Sequence, residues 1–423
     1  MAEQQAEFVN LTEAIRHTLV LVLAGGRGSR LKSLTDTEAK PAVPFAGKFR
    51  IIDFALSNCV NSGMRRVGVL TQYRSHNLIQ HVQRGWGSFR AEFDEFVQVW
   101  PAQQQAMNES WYTGTADAVY QNIDLIQSHD PKYVIILGGD HVYKQDYSKM
   151  LREHIRNNAA VTVACVEVET EKAKEFGIMG TDASGQIDQF VEKPENPPEI
   201  PSRPGWSLAS MGIYIFNRDL LEEQLLADAD KADSSHDFGK DLIPYLYPKV
   251  KVMAHRFADS CVGSEGKEPY WRDVGTLDAY WECNLDLTQV TPELDLYDPS
   301  WPIWTYQTQR PAAKFVFDDD TRRGYAVDSL VSAGCIVSGS SVRRTLLFTD
   351  VRVNSYCTVE DSIILPHADI GRNCVLKRCI VGQGCKVPDG MVVGEDPELD
   401  ATRFHITENG IALVTQKQID KVK

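Results

Sequence analysis

Apolar residues recur every six positions in the C-terminal third of the chain. Small and polar residues, chiefly Gly, Asn, Asp and Ser, fill the intervals between them. A period of six matches neither the 3.6 residues per turn of an α-helix nor the two-residue alternation of a β-strand. It is typical of hexapeptide repeats, in which short flat strands turn corners to form a parallel β-helix. The recurring positions form two runs, first Val353, Val359 and Leu365, and then Val375, Val381, Val387 and Val393.

The first half of the chain has a different pattern, in which short apolar runs alternate with helical segments. Strands are predicted at residues 18–24, 66–71, 133–137 and 160–168, and helices at residues 51–61 and 115–128. Because these strands are nearly all apolar, we expect a parallel sheet that is covered on both faces. The chain is therefore predicted to be an α/β protein with a Rossmann-like, mostly parallel sheet in residues 1–290, an ordered linker rich in Pro, Trp and Tyr in residues 291–313, and a left-handed parallel β-helix in residues 314–423.

The charge of the chain argues against two classes of partner. Its 423 residues include 44 Lys and Arg against 58 Asp and Glu, a formal net charge of −14. Proteins that bind nucleic acid or anionic membranes depend on clustered Lys and Arg, so neither partner is expected. No apolar run approaches the ~20 residues of a membrane span, and the first residues lack the apolar core of a signal peptide. We expect a cytoplasmic protein with reduced cysteines, of which Cys374, Cys379 and Cys385 pack inside the repeat.

A basic, glycine-rich segment follows the first predicted strand. Residues 23–31 read LAGGRGSRL, and residues 26–50 carry six basic side chains against two acidic ones. Glycines let the backbone approach a phosphate and turn its N–H groups toward it. This loop and the Gly-Gly-Asp sequence after Leu137 both lie at carboxyl ends of predicted parallel strands, where ligands bind in such sheets. The segment is the expected anion-binding site of an otherwise acidic chain.

Three kinds of phosphate loop can be compared with this segment. The dinucleotide-binding fingerprint requires glycine where Leu31 stands, and a Walker A loop requires Lys and then Ser or Thr directly after its second glycine. The remaining pattern is that of nucleotidyltransferases, G-G-x-G-x-R-L followed by Lys-Pro. Arg30 and Lys40-Pro41 supply this pattern.

The run from Leu23 to Gly63 (LAGGRGSRLKSLTDTEAKPAVPFAGKFRIIDFALSNCVNSG) resembles bacterial glucose-1-phosphate adenylyltransferases, the ADP-glucose pyrophosphorylases. The segments WYTGTADA at 111–118, SSHDFGKD at 234–241 and YWRDVGT at 270–276 are also similar to that family. The resemblance extends over nearly the whole chain. It implies transfer of the adenylyl group of ATP to α-D-glucose 1-phosphate, which gives ADP-glucose and pyrophosphate in the regulated committed step of bacterial glycogen synthesis.

Other functions stay open at this point. A nucleotidyltransferase for a different base or sugar would share the glycine loop, and a non-catalytic regulatory subunit would lack metal or phosphate ligands. A hexapeptide acyltransferase would need a catalytic histidine in the β-helix, where His367 and His405 are the candidates.

The resemblance also implies roles for individual residues. Arg30 and Lys40 would neutralise the nucleotide phosphates, and Asp140 and Asp273 would hold Mg²⁺, which prefers carboxylate oxygens; Arg30, Lys40 and Asp140 are the expected catalytic residues. No general base is expected, because the attacking phosphate is already ionised, and His141 is given no such role. The expected nucleotide-binding residues are Leu23, Ala24, Gly25 and Gly26, the expected sugar-phosphate contacts are Tyr112, Gly177, Glu192, Lys193 and Ser210, and the residues expected to connect regulatory and active sites are Arg50, Gln72 and Trp111.

Regulation is the point at which the chain departs from its relatives. The family implies a homotetramer that responds to sugar-phosphate, pyruvate or AMP-type effectors. In the enterobacterial type, basic residues stand at positions that are occupied here by Thr37, Glu38, Pro44 and Gln383, whereas Arg50 remains. We therefore predict that activation by fructose 1,6-bisphosphate and inhibition by AMP are weak, or use another site.

Overall fold

The computed structural model describes residues 11–26, 28–36, 38–102, 112–263 and 268–422. Its N-terminal part is built on a nine-stranded sheet. Seven strands lie side by side in the order Ile187–Glu192, Gly177–Thr181, Trp206–Asn217, Tyr133–Gly138, Thr18–Leu23, Arg66–Thr71 and Phe96–Pro101. The long strand Trp206–Asn217 also pairs with Val161–Glu169, which pairs in turn with Val252–Arg256.

Most strands of this sheet run in one direction. Thr18–Leu23 is parallel to both of its neighbours, Phe96–Pro101 is parallel to Arg66–Thr71, and Val252–Arg256 is parallel to Val161–Glu169. Trp206–Asn217 and Ile187–Glu192 run antiparallel to the strands beside them. The prediction of a mostly parallel sheet is confirmed.

Both faces of the sheet are covered, as the all-apolar strands predict. In Thr18–Leu23, Val20 and Val22 belong to one hydrophobic cluster, whereas Leu19 and Leu21 belong to another. Because successive side chains of a strand point to opposite faces, these two clusters lie on opposite sides of the sheet. The sheet therefore holds the carboxyl ends of its strands rigidly at one edge.

Helices cover these two faces. Residues 11–16 are helical, and the further α-helices of the N-terminal part are Ile52–Asn61, His76–Gly85, Thr115–Tyr120, Ile123–His129, Tyr147–Arg156, Arg218–Ala229, Ile243–Leu246, Phe257–Ser260 and Leu277–Asp286; the C-terminal part has Pro397–Arg403 and Gln416–Val422. Shorter helical turns are Ser29–Thr35, Lys40–Ala42, Ala91–Phe93, Lys172–Glu175 and Phe238–Leu242. Within the described ranges, no helix is long and apolar enough to cross a membrane.

The helix predicted for residues 115–128 is two helices. Thr115–Tyr120 and Ile123–His129 are separated by Gln121 and Asn122. Asn122 is buried, and its side-chain amide donates to the carbonyl oxygen of Ala118 at 2.8 Å and to the hydroxyl of Tyr112 at 3.2 Å. A side chain that bonds to the backbone in this way competes with regular helical hydrogen bonding, which explains the break.

The C-terminal part is a parallel β-helix with three faces, consistent with the predicted left-handed form. One face is formed by Lys314–Val316, Ile336–Ser338, Arg352–Val353, Asp369–Ile370 and Lys386–Val387. The second is formed by Tyr325–Val327, Ser341–Arg343, Thr358–Glu360, Val375–Lys377 and Val392–Val393. The third is formed by Leu330–Val331, Leu346–Leu347, Ile363–Ile364, Cys379–Val381, Ala412–Val414 and the antiparallel edge strand His405–Ile406.

The coils of this β-helix are shorter than three hexapeptides. Val342 pairs with Val359, and Val359 pairs with Leu376, so that one full turn takes 17 residues. Two faces follow the six-residue period and the third is one residue shorter. As a consequence Leu376 is fully buried, whereas Val375, which the six-residue count places inside, is only half-buried. The prediction for Val375 is wrong by one residue, because an irregular coil length shifts the register.

The corners of the coil require left-handed backbone conformations. Asp328, Arg344, Asp361 and Arg378 all have positive φ and stand above one another at one corner. Polar side chains tolerate this conformation better than branched apolar ones, which explains the polar intervals of the repeat. Cys374, Cys379 and Cys385 are buried in the coil as predicted, and none of the nine cysteines, all of which the structure describes, is in a disulfide bond.

Residues between the two parts are ordered and packed against the helix Ile52–Asn61. The indole N–H of Trp301 donates to the Asn58 side chain at 2.9 Å, and the backbone N–H of Trp304 donates to the Ser57 hydroxyl at 2.8 Å. On the other side, the Trp281 indole donates to the carbonyl oxygen of Asp361 in the β-helix at 2.8 Å. These contacts fix the β-helix against the sheet domain.

Truncating Leu376 to alanine is expected to destabilise the β-helix by about 2–5 kcal/mol, because it leaves a cavity in a fully packed coil. Val375→Ala is the matched control and is expected to cost about 1 kcal/mol. Thermal unfolding of both variants measures the difference. Equal losses, or a larger loss for Val375→Ala, would contradict the 17-residue register.

Candidate active site

A cleft of about 1250 Å³ opens at the carboxyl ends of Thr18–Leu23 and Tyr133–Gly138. The residues after these two strands form its floor. Of the residues predicted for the site, those that line the cleft are Leu23, Ala24, Gly25, Gly26, Arg30, Lys40, Gln72, Tyr112, Asp140, Gly177, Glu192, Lys193, Ser210 and Asp273.

The glycine loop is shaped by close contacts with its neighbours. Gly28 has φ +61°, and a Cβ atom at this position would lie 2.8 Å from the Cβ of Lys40. A Cβ on Gly25 would lie 3.3 Å from the Cβ of Gln72. The backbone N–H of Ala24 donates to the carbonyl oxygen of Leu70 at 2.9 Å. The loop therefore folds tightly back on the strand ends and brings Lys40 beneath it.

Charged side chains from three separate segments meet in this cleft. The Lys40 ammonium donates to Asp140 Oδ2 at 2.9 Å and to Asp273 Oδ1 at 2.6 Å. Arg30 lies 3.6 Å from Asp273 Oδ2. The antiparallel pairing of His141–Tyr143 with Trp271–Asp273 places the two aspartates side by side. The proximity of Asp140 and Asp273, which the sequence could only imply, is present in the structure.

This cluster keeps its charges. Burial would raise the pKa of the Asp140 carboxyl, but His141 and the Lys40 ammonium outweigh burial and hold that pKa at about 2. Burial would likewise lower the pKa of Lys40, but Asp140 and Asp273 outweigh it and raise that pKa. Near neutral pH the Lys40 side chain is therefore an ammonium group, and Asp140 remains ionised far below pH 7.

Three side chains that could ligate a divalent cation converge at this point. Carboxylate oxygens of Asp140 and Asp273 and a ring nitrogen of His141 lie within 4.8 Å of one another. The Nδ1 atom of His141 is buried, and no hydrogen-bond partner for it is found among the described residues. The imidazole packs edge-to-face with the Trp271 ring, with ring centroids 5.1 Å apart. The residues fit a divalent metal, and His141 is a candidate ligand that sequence reasoning left without a role.

The opposite wall carries the residues predicted to contact a sugar phosphate. Gly177 begins a strand directly opposite Glu192, and a Cβ on Gly177 would lie 2.7 Å from Glu192 Oε2. Lys193 follows with φ +47°, and its backbone N–H donates to the carbonyl oxygen of Phe176 at 3.0 Å. Gly177 is thus required by the close approach of the Glu192 side chain and is more than a turn residue.

Burial and the neighbouring Asp237 raise the pKa of Glu192, although Lys193 and Lys240 act in the opposite direction. A carboxyl with a raised pKa can accept hydrogen bonds from hydroxyl groups at neutral pH and gains a proton more readily at acid pH. Glu192 is therefore suited to bind a polyhydroxylated ligand.

Asp237 was not among the predicted site residues, although it lines this wall. Its Oδ2 accepts a hydrogen bond from the Thr115 hydroxyl at 2.9 Å, and its Oδ1 accepts from the backbone N–H groups of Gly239 and Lys240. A Cβ on Gly114 would lie 2.2 Å from the carbonyl oxygen of His236, so glycine is needed for this contact. In the sequence, the segments GTAD and SSHDFG contain the residues of this contact. Only the fold shows that the two segments touch.

One predicted regulatory residue, Arg50, stands away from the cleft. Arg50 lies outside the residues that line the cleft; its guanidinium pairs with Glu38 at 2.8 Å and also donates to the carbonyl oxygen of Ala42. Glu38 is 7% exposed, and Gln383 is exposed on the β-helix. Trp111 and Thr37 lie outside the described residues.

Comparison with known proteins agrees with this architecture. Residues 19–290 match the nucleotidyl transferase family model, and residues 311–414 match the GlmU-like C-terminal hexapeptide model. The glucose-1-phosphate adenylyltransferase of Rhodospirillum rubrum is 62% identical over 419 residues, which cover 99% of each chain. The enzymes of that name from Paramagnetospirillum magneticum and Dechloromonas aromatica are 61% and 57% identical, over 97% and 98% of this chain and 96% and 94% of their own.

The chain belongs to the glucose-1-phosphate adenylyltransferase family. In this adenylyltransferase family member, the glycine loop, the Lys40 cluster and the Glu192 wall form one continuous cleft. The family resemblance noted from the sequence is thereby confirmed, together with the order of its two structural parts.

In this adenylyltransferase, Gly28→Ala is expected to lower the rate of pyrophosphate release by about tenfold or more, which corresponds to about 1.4 kcal/mol of lost transition-state stabilisation. The added Cβ would strain a left-handed backbone and push directly against Lys40. Gly205→Ala is the matched control, since Gly205 has φ +80° but nothing within 4 Å of the added atom. An equal loss of rate in both variants would mean that backbone strain alone is responsible.

Proposed function

We propose that the protein transfers the adenylyl group of ATP to α-D-glucose 1-phosphate and releases pyrophosphate, in bacterial glycogen synthesis. The observation that carries this proposal is the cleft in which the cluster of Lys40, Asp140 and Asp273 faces the wall of Glu192 and Lys193. One side is suited to a nucleotide polyphosphate and the other to a phosphorylated sugar.

Charge neutralisation and positioning carry the catalysis in this proposal. Both reactants are anions, so that repulsion opposes their approach, and a phosphate oxygen of the sugar can attack the ATP α-phosphorus without a side-chain nucleophile. Arg30 and Lys40 neutralise the charge that moves onto the departing pyrophosphate. The glycine loop, from Leu23 to Gly26, surrounds the nucleotide.

Asp140 and Asp273, with His141 beside them, would hold the Mg²⁺ ion of the reaction. When bound, the ion supplies positive charge to the ATP phosphates. The low pKa of Asp140 keeps this carboxylate available for a cation at any physiological pH. Octahedral Mg²⁺ prefers oxygen ligands, and the two carboxylates supply them.

The sugar phosphate lies against the opposite wall. Glu192 accepts hydrogen bonds from sugar hydroxyl groups, Lys193 pairs with the phosphate, and Tyr112, Gly177 and Ser210 complete the contacts. Asp237 is held rigidly by Thr115 and by two backbone N–H groups, and so keeps this wall in place.

Assembly and regulation follow the same proposal. Residues 1–290 form the catalytic domain, residues 291–313 the linker and residues 314–423 a β-helix for oligomerisation and effector binding, in a cytoplasmic homotetramer. Arg50 is already paired with Glu38, so an anionic effector at this position would compete with an internal carboxylate. Activation by fructose 1,6-bisphosphate and inhibition by AMP are therefore weak at this site.

Pyrophosphate release should be measured with glucose 1-phosphate and Mg²⁺ across ATP, dTTP, CTP, GTP and UTP. A clear preference for ATP is expected. Parallel reactions with fructose 1,6-bisphosphate, fructose 6-phosphate, pyruvate and AMP serve as the effector comparison, and the first of these is expected to activate weakly. Preference for another nucleotide would replace the adenylyl assignment, and no release under any effector would indicate a regulatory subunit.

Lys193→Gln is expected to raise the KM for glucose 1-phosphate by about 10- to 100-fold and to leave the KM for ATP nearly unchanged, because it removes one charge-assisted hydrogen bond to the sugar phosphate. Lys172→Gln is the control, since Lys172 pairs with Glu169 away from the cleft. A rise in the KM for ATP of the same size would place Lys193 on the nucleotide instead.

A further inference from the structure

The Lys40 ammonium makes the shortest ion-pair contact of each of the two carboxylates proposed to bind the metal. It lies 2.6 Å from Asp273 Oδ1 and 2.9 Å from Asp140 Oδ2. The Lys40 side chain is 7% exposed, whereas those of Asp140 and Asp273 are 36% and 26% exposed. The ammonium thus lies beneath the carboxylates and holds them together, and their accessible sides face the cleft.

The second oxygen of each carboxylate also faces a basic group. Asp273 Oδ2 lies 3.6 Å from the Arg30 guanidinium, and Asp140 Oδ1 lies 3.6 Å from His141 Nε2. A Mg²⁺ ion binds oxygen ligands at ~2.0–2.1 Å and cannot share an oxygen with an ammonium group at 2.6 Å without strong repulsion between the two cations. Binding of a divalent cation to the two oxygens that the Lys40 ammonium contacts therefore requires this ammonium to move.

The Lys40 side chain can leave the two carboxylates and stay within the cleft. Its backbone is fixed at the start of the short helix Lys40–Ala42, directly before Pro41, so that only the side chain can move. The side chain lines the same cleft as the glycine loop, and Gly28 leaves room beside it. An anion bound at the glycine loop would then be the nearest alternative partner for the displaced ammonium.

We propose that Lys40 is an internal competitor of the divalent metal, which holds Asp140 and Asp273 together until the metal displaces its ammonium toward the nucleotide phosphates. This inference rests on the proposed metal role of the two aspartates. The competition makes metal binding weak without nucleotide. Metal binding is strong with nucleotide, because the bound phosphates accept hydrogen bonds from the displaced ammonium. By linkage, the metal strengthens nucleotide binding by the same factor.

Mn²⁺ binding in the absence of nucleotide tests the competition directly. Electron paramagnetic resonance of free Mn²⁺ gives the dissociation constant for the full-length protein. Lys40→Gln is expected to bind Mn²⁺ about tenfold or more tightly than the wild type, since no ammonium must be displaced. Lys174→Gln is the matched control: Lys174 lines the same cleft, but the basic residues that pair with Asp140 and Asp273 in the described structure are Arg30, Lys40 and His141. We expect its Mn²⁺ affinity to stay within about twofold of the wild type.

The double variant Lys40→Gln/Asp273→Asn separates this proposal from the metal site itself. If the gain in Mn²⁺ affinity is lost in the double variant, the metal binds at Asp273 and the competition stands. If Asp273→Asn alone abolishes Mn²⁺ binding measured with an ATP analogue, but Lys40→Gln gains nothing, the metal site stands and the competition is overturned. If Mn²⁺ binding ignores Asp273 in every variant, both the metal site and the competition are overturned.

A measurement on the wild type covers the case in which Lys40→Gln does not fold. Reductive methylation, with mass spectrometry of the peptide that contains Lys40, reports the accessibility of its amine. The reaction is run without any nucleotide or nucleotide analogue. Saturating Mg²⁺ is then expected to increase methylation of Lys40 several-fold and to leave that of Lys174 unchanged. An unchanged or lower rate at Lys40 would overturn the proposal.

Discussion

A single ammonium group joins three parts of the chain that are far apart in sequence. Lys40 is 100 positions from Asp140 and 233 positions from Asp273, yet it bonds to both. Each of these charges would be costly to bury alone, and removal of one partner from such a cluster leaves the others uncompensated. Three features of the fold bring these groups together. Gly28 allows the loop to approach Lys40, a two-stranded ribbon places the two aspartates side by side, and the sheet holds the loop in position.

The ribbon itself depends on a buried amide. Asn58 is fully buried in the helix Ile52–Asn61; its Nδ2 donates to the carbonyl oxygen of Tyr143, and its Oδ1 accepts from the backbone N–H of Gln145 and from the Trp301 indole. One side chain thereby connects the strand next to Asp140, a core helix and the segment that leads to the β-helix. Lys144, almost fully buried, faces Asp298 of the same segment at 3.7 Å. The connecting segment is thus part of the support of the active site.

Periodicity predicted the two structural parts, and the motif predicted the cleft, but neither could give the details that depend on tertiary contacts. The six-residue count fails at Val375 because one face of the coil is a residue shorter, and a pattern of apolar residues at adjacent positions fits both registers. The helix of residues 115–128 breaks because Asn122 bonds to the backbone and to Tyr112, a partner invisible to helical periodicity. The sequence did not predict a site role for Asp237, because its position in the cleft depends on its contact with Thr115, 122 positions away. Arg50 was placed at a regulatory site, but its pairing with the buried Glu38 is a property of the packed structure.

The glycine loop and the β-helix share one hydrophobic cluster. Leu31 and Leu34, in the turn directly after the loop, belong to the cluster that also contains Leu346 and Val359 of the coil. Between them, the Ser332 hydroxyl of the β-helix donates to the carbonyl oxygen of Gly47 at 2.9 Å, and the Tyr280 hydroxyl donates to that of Pro44. Close-packed interiors transmit displacement because they contain little free volume. Leu31 and Leu34 therefore connect the packing of the β-helix to the turn that carries Arg30, and Gly28 connects this turn to the side chain of Lys40. The glycine-loop edge of the cleft thus packs against the β-helix as well as following the first strand of the sheet, although no described residue of the β-helix lines the cleft.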